Sequence, residues 1–138
     1  MILVDSSVWI DYFNGSPTWQ TDLLDSYLSN VPIIMGDLIF TEVLQGFKSD
    51  KDFKKAKTFL DVLLFRSMGG YQVALQSAKN YRELRKKGIT VRKTIDVIIA
   101  TFCIVEGLTL LHDDRDFDPI ASNFPLKTCP PEWFGVKA

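Results

Sequence analysis

The spacing of hydrophobic positions changes period several times along the chain, and each change marks an element. The opening run Met1-Ile2-Leu3-Val4 is apolar at every position, the pattern of a strand buried on both faces. Residues 7–13 take helical spacing and stop at the breaker Asn14-Gly15-Ser16-Pro17. A second helix is predicted over 18–29, a second strand over 31–35, and a third helix on Leu38, Val43 and Phe47. Helices over 53–64 and 71–87 follow, the latter stopped by Gly88. Thr94 is placed to cap a further helix that runs through Glu106 to Gly107. Residues 108–111 read as a strand, and 126–129 as a short last one before Pro130-Pro131. Strand and helix therefore alternate, which predicts an α/β domain packed around one mostly parallel sheet. No internal repeat, low-complexity tract or linker interrupts it.

Four acids break the apolar pattern. Asp5 closes the opening run, Glu42 and Asp96 sit inside apolar helical segments, and Asp114 follows the 108–111 run. Burying an unpaired carboxylate costs several kcal/mol or forces it to take up a proton, so these positions call for a compensating cation. In a parallel sheet flanked by helices, ligands bind beyond the carboxyl ends of the strands, where Asp5 and Asp114 fall. Glu42 and Asp96 must then reach the same rim from helices. Such a group repels itself and titrates as a coupled set until a hard, oxygen-seeking ion relieves it. Mg²⁺ matches these donors, taking carboxylates, waters and substrate phosphates, whereas zinc favours His and Cys, and His112 is the single histidine. A bound Mg²⁺ can activate water, orient a phosphodiester and stabilise the departing oxygen, which is metal-dependent nuclease chemistry.

Composition narrows the setting. The 138 residues, 46% hydrophobic, suffice for one core, so a single domain over 1–138 is expected. No stretch approaches the roughly 20 apolar residues of a membrane span, and the start MILVDSSVWID lacks a basic region and a small-residue cleavage site, so a soluble, cytoplasmic protein without membrane contact is expected. Cys103 lies in the apolar run VIIATFCIV, and neither it nor Cys129 has metal-ligand spacing. A net charge of -1 and a pI near 5.8 give no general attraction to phosphate. The charge is uneven, however: KNYRELRKKGITVRK carries Lys79, Arg82, Arg85, Lys86, Lys87, Arg92 and Lys93 against Glu83 alone. This stretch is a basic stripe for a nucleic acid or an ordinary solvated helix face.

The motifs Asp5-Ser6-Ser7, Thr41-Glu42-Val43-Leu44 with Gly46, Thr94-Ile95-Asp96, and Leu111-His112-Asp113-Asp114-Arg115-Asp116-Phe117, in this order, resemble the PIN-domain ribonucleases of the VapC toxin type. The resemblance spans nearly the whole chain and implies a three-layer α/β/α domain with a central parallel sheet of four or five strands. It implies an endoribonuclease cutting tRNA or rRNA with Mg²⁺, or Mn²⁺, as cofactor. It also implies a homodimer inhibited by a VapB-type antitoxin whose C-terminal segment occupies a groove beside the acids. Carried over by position, Asp5, Glu42, Asp96 and Asp114 form the acidic quartet, with Asp5, Asp96, Asp114 and the additional rim acid Asp116 as metal ligands. Ser6 matches a small hydroxyl position near the metal or phosphate. Arg82, Arg85, Arg92, Lys93 and Arg115 are the candidate phosphate contacts. His112 receives no catalytic part.

Each of these residues also has a plainer explanation. Asp5 can cap the helix that follows it, Ser6 can do the same, and Asp96 suits a helix N-terminus for its charge. Asp114 and Asp116 can be turn formers, and Arg115 can simply pair with Asp113 or Asp116. Asp113 points away from its neighbour at the strand end and is expected in solvent. Glu42 resists a plain reading, because Leu38, Ile39, Phe40, Val43 and Leu44 leave it little polar face. Two other functions share the α/β frame with an acidic strand-end pocket. A magnesium-binding phospho-receiver would need paired acids after the first strand and a middle-strand Asp, which this chain lacks. A non-catalytic RNA-binding or partner-binding module would keep the frame without turnover. The aromatic-rich segments 8–13 and 40–65 carry more large apolar side chains than a small core needs, which predicts an interface.

Overall fold

A computed structural model describes residues 1–133. Among these, five parallel strands form one sheet in the order β3-β2-β1-β4-β5. β1 (Ile2–Val4) and β4 (Thr109–Leu111) are its centre, with Leu3 opposite Leu110 and Val4 opposite Leu111. β2 (Ile33–Gly36) lies on the other side of β1, with β3 (Leu64–Arg66) and β5 (Lys127–Thr128) at the edges. β1, β2 and β4 are apolar almost throughout because helices cover both faces of the sheet; Leu3, Ile34, Leu110 and Leu111 are all buried.

Seven α-helices flank the sheet among the described residues. α1 (Ser6–Asn14) packs on α2 (Trp19–Tyr27) and α3 (Asp37–Gln45), and α3 packs on α4 (Asp50–Leu60). α5 (Tyr71–Lys86) lies along α6 (Thr94–Glu106), and the short α7 (Asp118–Asn123) follows a 3₁₀ turn, Arg115–Phe117. None of these helices is long and apolar enough to cross a membrane. The result is the three-layer α/β/α arrangement expected, at the upper end of the expected strand number.

Several boundaries differ from the sequence reading, for local reasons. The helix expected over 53–64 begins earlier, where Ser49 accepts from the Asp52 N–H, and ends at Leu60. Leu64 belongs instead to β3, an exposed three-residue edge strand too short to show a period. Thr94 is the first residue of α6 rather than its cap; Lys93 stands at the cap with no side-chain bond to the helix. α7 was not anticipated: Asp118-Pro119 opens it, a proline in the first turn being preset for a helix. Gly107, at φ 67, closes α6 in the left-handed region, where a glycine carries no Cβ penalty. Cys103 and Cys129 are buried free thiols, and residues 134–138, part of the expected domain, lie outside the described range.

One buried polar pair ties α5 to α6. The Asn80 side-chain amide donates to Thr101 Oγ1 at 3.1 Å, and Gln76 donates to Asn80 Oδ1 at 2.9 Å. Thr101→Val keeps the shape but strands the Asn80 donor. Urea unfolding should show a loss of about 1–2 kcal/mol, the cost of a buried donor left unmade; an unchanged midpoint would mean that water satisfies the amide.

A candidate metal centre at the carboxyl ends of β1 and β4

The strand order places the site. The chain runs outward from β1 to β2 and β3, then returns to β4 on the opposite side of β1, so the connections diverge between β1 and β4. That divergence opens a crevice at the carboxyl ends of the two strands. Asp5 leaves β1 there, its N–H donating to Leu111 O at 2.9 Å, and the loop from His112 to Asp116 leaves β4 beside it.

Asp5 is 3% exposed and caps α1: its Oδ2 accepts from the Ser7 N–H at 3.1 Å and from Ser7 Oγ at 2.6 Å. The same hydroxyl accepts from the Asp113 N–H at 3.1 Å, pinning the β4 loop to α1. Asp5, not Ser6, is therefore the helix cap. Ser6 turns its Oγ to Glu42 Oε1 at 3.3 Å, joining the start of α1 to α3. Burial raises the Glu42 pKa, with the negative charge of Asp5 adding to the effect.

Asp96, in the first turn of α6, is also 3% exposed. Its buried Oδ2 has no hydrogen-bond partner, the nearest cation being Lys93 Nζ at 3.5 Å in an ion pair outside hydrogen-bond geometry. Burial raises its pKa to about 6, with Asp114 and Asp5 pushing in the same direction and Lys93 opposing. Asp114 begins the 3₁₀ turn, its Oδ1 accepting from the Asp116 N–H at 2.9 Å and its Oδ2 meeting Lys93 Nζ at 3.1 Å. Burial alone would raise the Asp114 pKa, but the Asp116 amide and Lys93 outweigh it and hold the carboxyl below its ordinary value. Asp116 pairs with Arg92 at 3.2 Å.

Asp96, Asp114 and Asp116 thus each offer a carboxylate oxygen, and the three lie within 4.8 Å of one another. They can hold a metal ion. The donor set is all oxygen, which suits a hard divalent cation, and the unpartnered oxygen of Asp96 is the buried acceptor such an ion would satisfy. Asp5 and Glu42 stand beside this trio and act on it through their charge. Of the four acids read as buried, Asp5 and Asp96 are so, while Glu42 and Asp114 are half-buried.

The basic candidates divide. Arg92 and Lys93 reach the acids. Arg82 and Arg85 are exposed on α5, Arg85 lying 6.0 Å from the Tyr81 ring, and Arg115 is exposed without an ion pair among the described residues. Asp113 is exposed. His112 packs against Phe117 at a tilt, with ring centroids 4.9 Å apart, and supports the loop by accepting the Asp114 N–H on Nδ1 at 3.2 Å; burial lowers its pKa. Sequence reasoning passed over Ser7 as the hydroxyl joining both strand ends and over Lys93 as the ion-pair partner of the cluster. The signals were a hydroxyl two residues after Asp5 and a cation one helical turn before Asp96.

The comparisons agree with this architecture. A family model for the PIN domain matches residues 2–123. VapC ribonuclease Mb1587 of Mycobacterium bovis is 31% identical over 123 residues, 88% of this chain and 92% of that protein. Ribonuclease VapC11 of Mycobacterium tuberculosis matches to the same extent. Among solved structures, VapBC2 from Rickettsia felis, bound to a DNA fragment from its promoter, superposes with a TM-score of 0.74 at 20% identity, over 93% of this chain and 97% of that one. VapBC-1 from nontypeable Haemophilus influenzae gives 0.72 at 19% identity, over 96% and 99%. These two likenesses speak for the fold, and the sequence matches carry the family: the chain belongs to the PIN domain family, with VapC ribonucleases among its relatives.

Proposed function

We propose that this protein is a metal-dependent endoribonuclease, the toxin of a toxin–antitoxin pair, forming a single PIN domain over 1–138. The observation that carries the reading is the carboxylate trio Asp96, Asp114 and Asp116, gathered within 4.8 Å at the strand-end crevice of a chain whose relatives are VapC ribonucleases. The phospho-receiver alternative gives way to this family membership. Asp96, Asp114 and Asp116 would hold Mg²⁺, or Mn²⁺, with Asp5 beside them. When bound, the ion supplies Lewis acidity toward water and the phosphodiester. Asp5 sets the local charge that draws the cation in while Ser7 keeps that carboxylate fixed. Glu42, held by Ser6, is poised to accept a proton at the edge of the site, where burial raises its pKa. Arg92 and Lys93 stand at the rim where substrate phosphates arrive, with Arg115 between Asp114 and Asp116 in the 3₁₀ turn and Arg82 and Arg85 exposed on α5. A single-stranded loop of tRNA or rRNA suits such a recessed centre, because an unpaired backbone can bend into it.

An antitoxin of the VapB type would cover the aromatic groove between α1 and α4. Phe13, Phe47 and Phe59 line that groove above the buried Trp9, with Phe59 5.7 Å from Phe13. The solved neighbours are VapBC complexes, which supports this partner. The exposed apolar residues Tyr71, Leu75 and Val105 on α5 and α6 support a homodimer.

Purified protein free of antitoxin, incubated with total cellular RNA, should yield discrete fragments with Mg²⁺ and none with EDTA. Asp5→Asn should yield none in either case. Cleavage that survives both EDTA and Asp5→Asn would overturn the reading, as would intact RNA with folded, metal-loaded protein across tRNA and rRNA substrates.

A further inference from the structure

Lys93 stands in a position that the metal reading leaves unexplained. Its ammonium lies 3.1 Å from Asp114 Oδ2 and 3.5 Å from Asp96 Oδ2, bridging two of the three carboxylates that can hold an ion. We propose that Lys93 is a tethered cation of this site: it holds Asp96 and Asp114 together by itself and is displaced when a divalent ion enters. The inference rests on the proposed metal centre and adds the residue that competes for it.

The geometry favours exchange over coexistence. An ammonium and a divalent ion both seek the space between the same oxygens, and two cations there repel one another without water between them. The Lys93 side chain is free to leave. It is 50% exposed, sits at the helix cap in extended backbone, and makes no capping bond to α6, so its described polar contacts are Asp96 and Asp114 alone. A flexible four-carbon stem can carry the ammonium outward while the backbone stays in place. Its hold on Asp96 is also incomplete, since the oxygen facing it remains without a hydrogen bond. An ion with short, directional bonds to oxygen would satisfy that atom better. Arg92 provides the contrast: its side chain is 77% exposed and reaches a single carboxylate of the trio, Asp116, at 3.2 Å.

The test is Mn²⁺ binding to the full-length protein, measured by electron paramagnetic resonance and calorimetry at fixed pH and ionic strength. Wild type is compared with Lys93→Met, Lys93→Gln, Arg92→Met and Asp96→Asn. Removing the competitor should tighten Mn²⁺ binding roughly three- to tenfold in both Lys93 variants, the size expected for partly exposed ion pairs. Arg92→Met removes the same charge nearby and should change the affinity less than about twofold by the same reasoning. Unchanged or weaker binding in the Lys93 variants would overturn the proposal. Equal tightening in Arg92→Met would also overturn it, because a general field would then explain the effect. Testing Met and Gln separately guards against a variant that fails to fold. Should wild type bind no Mn²⁺, or Asp96→Asn bind it equally well, the metal centre itself falls; normal wild-type binding with indifferent Lys93 variants refutes only the displacement.

Discussion

Replacing Asp96 by Asn is expected to lower metal-dependent RNA cleavage by at least about a thousandfold while the fold remains intact, because an ion worth several kcal/mol to the transition state loses its buried ligand. Asp96 is the residue on which the proposed centre converges. It is buried on α6, carries an unpartnered oxygen, and shares Lys93 with Asp114. Asn keeps its volume and one carbonyl acceptor but removes the charge that a hard cation requires. Asp116→Asn should cost less, since its side chain is 22% exposed and already shared with Arg92. Single-turnover cleavage of a defined RNA fragment at saturating Mg²⁺, with circular dichroism on the same samples, separates chemistry from folding. Full activity in Asp96→Asn would remove the residue from the mechanism and with it the site as drawn.

The sequence was readable where one residue's environment decides its conformation. Unbroken apolar runs gave β1, β2 and β4, since a strand covered on both faces needs no alternation. Glycine at positive φ placed the end of α6. β3 stayed hidden because its three residues, exposed at the sheet edge, carry no burial pattern and continue the apolar run that leaves α4. The site was only partly readable for a related reason. Asp5, Glu42, Asp96 and Asp114 stood out because they interrupt apolar segments, a signal visible one residue at a time. Which of them share an oxygen cage depends on side-chain reach across the crevice between β1 and β4. That geometry groups Asp116 with Asp96 and Asp114, keeps one oxygen of Asp5 occupied by Ser7, and brings Lys93 into the cluster. The plain reading of Asp5 is realised, for it caps α1, and its charge also acts on Asp96.

Asp96→Asn should also make the metal-free protein more stable at neutral pH, by on the order of 2–3 kcal/mol, and the sign follows from where the carboxyl titrates. Burial raises the Asp96 pKa from 3.8 to about 6, so the folded chain holds that proton more tightly than the unfolded chain does. The stability conferred by the bound proton is present in full below pH 3.8 and is lost as the pH rises through about 6. Asn behaves as the neutral form at every pH. Wild type and variant should therefore unfold at nearly the same urea concentration at pH 3.5 and diverge between pH 4 and 6. The variant should hold its full advantage at pH 7.5. Mg²⁺ at a thousand times its dissociation constant reverses the order, because an ion that binds only the folded wild type then stabilises it by about 4.1 kcal/mol, and gives the variant little. Urea titrations at these three pH values, with EDTA and with Mg²⁺, test both halves. A wild type more stable than Asp96→Asn at pH 7.5 in EDTA would show that Lys93 fully neutralises the buried carboxylate. An advantage for the variant that persists in saturating Mg²⁺ would show that Asp96 is charged and buried for some purpose other than holding the ion.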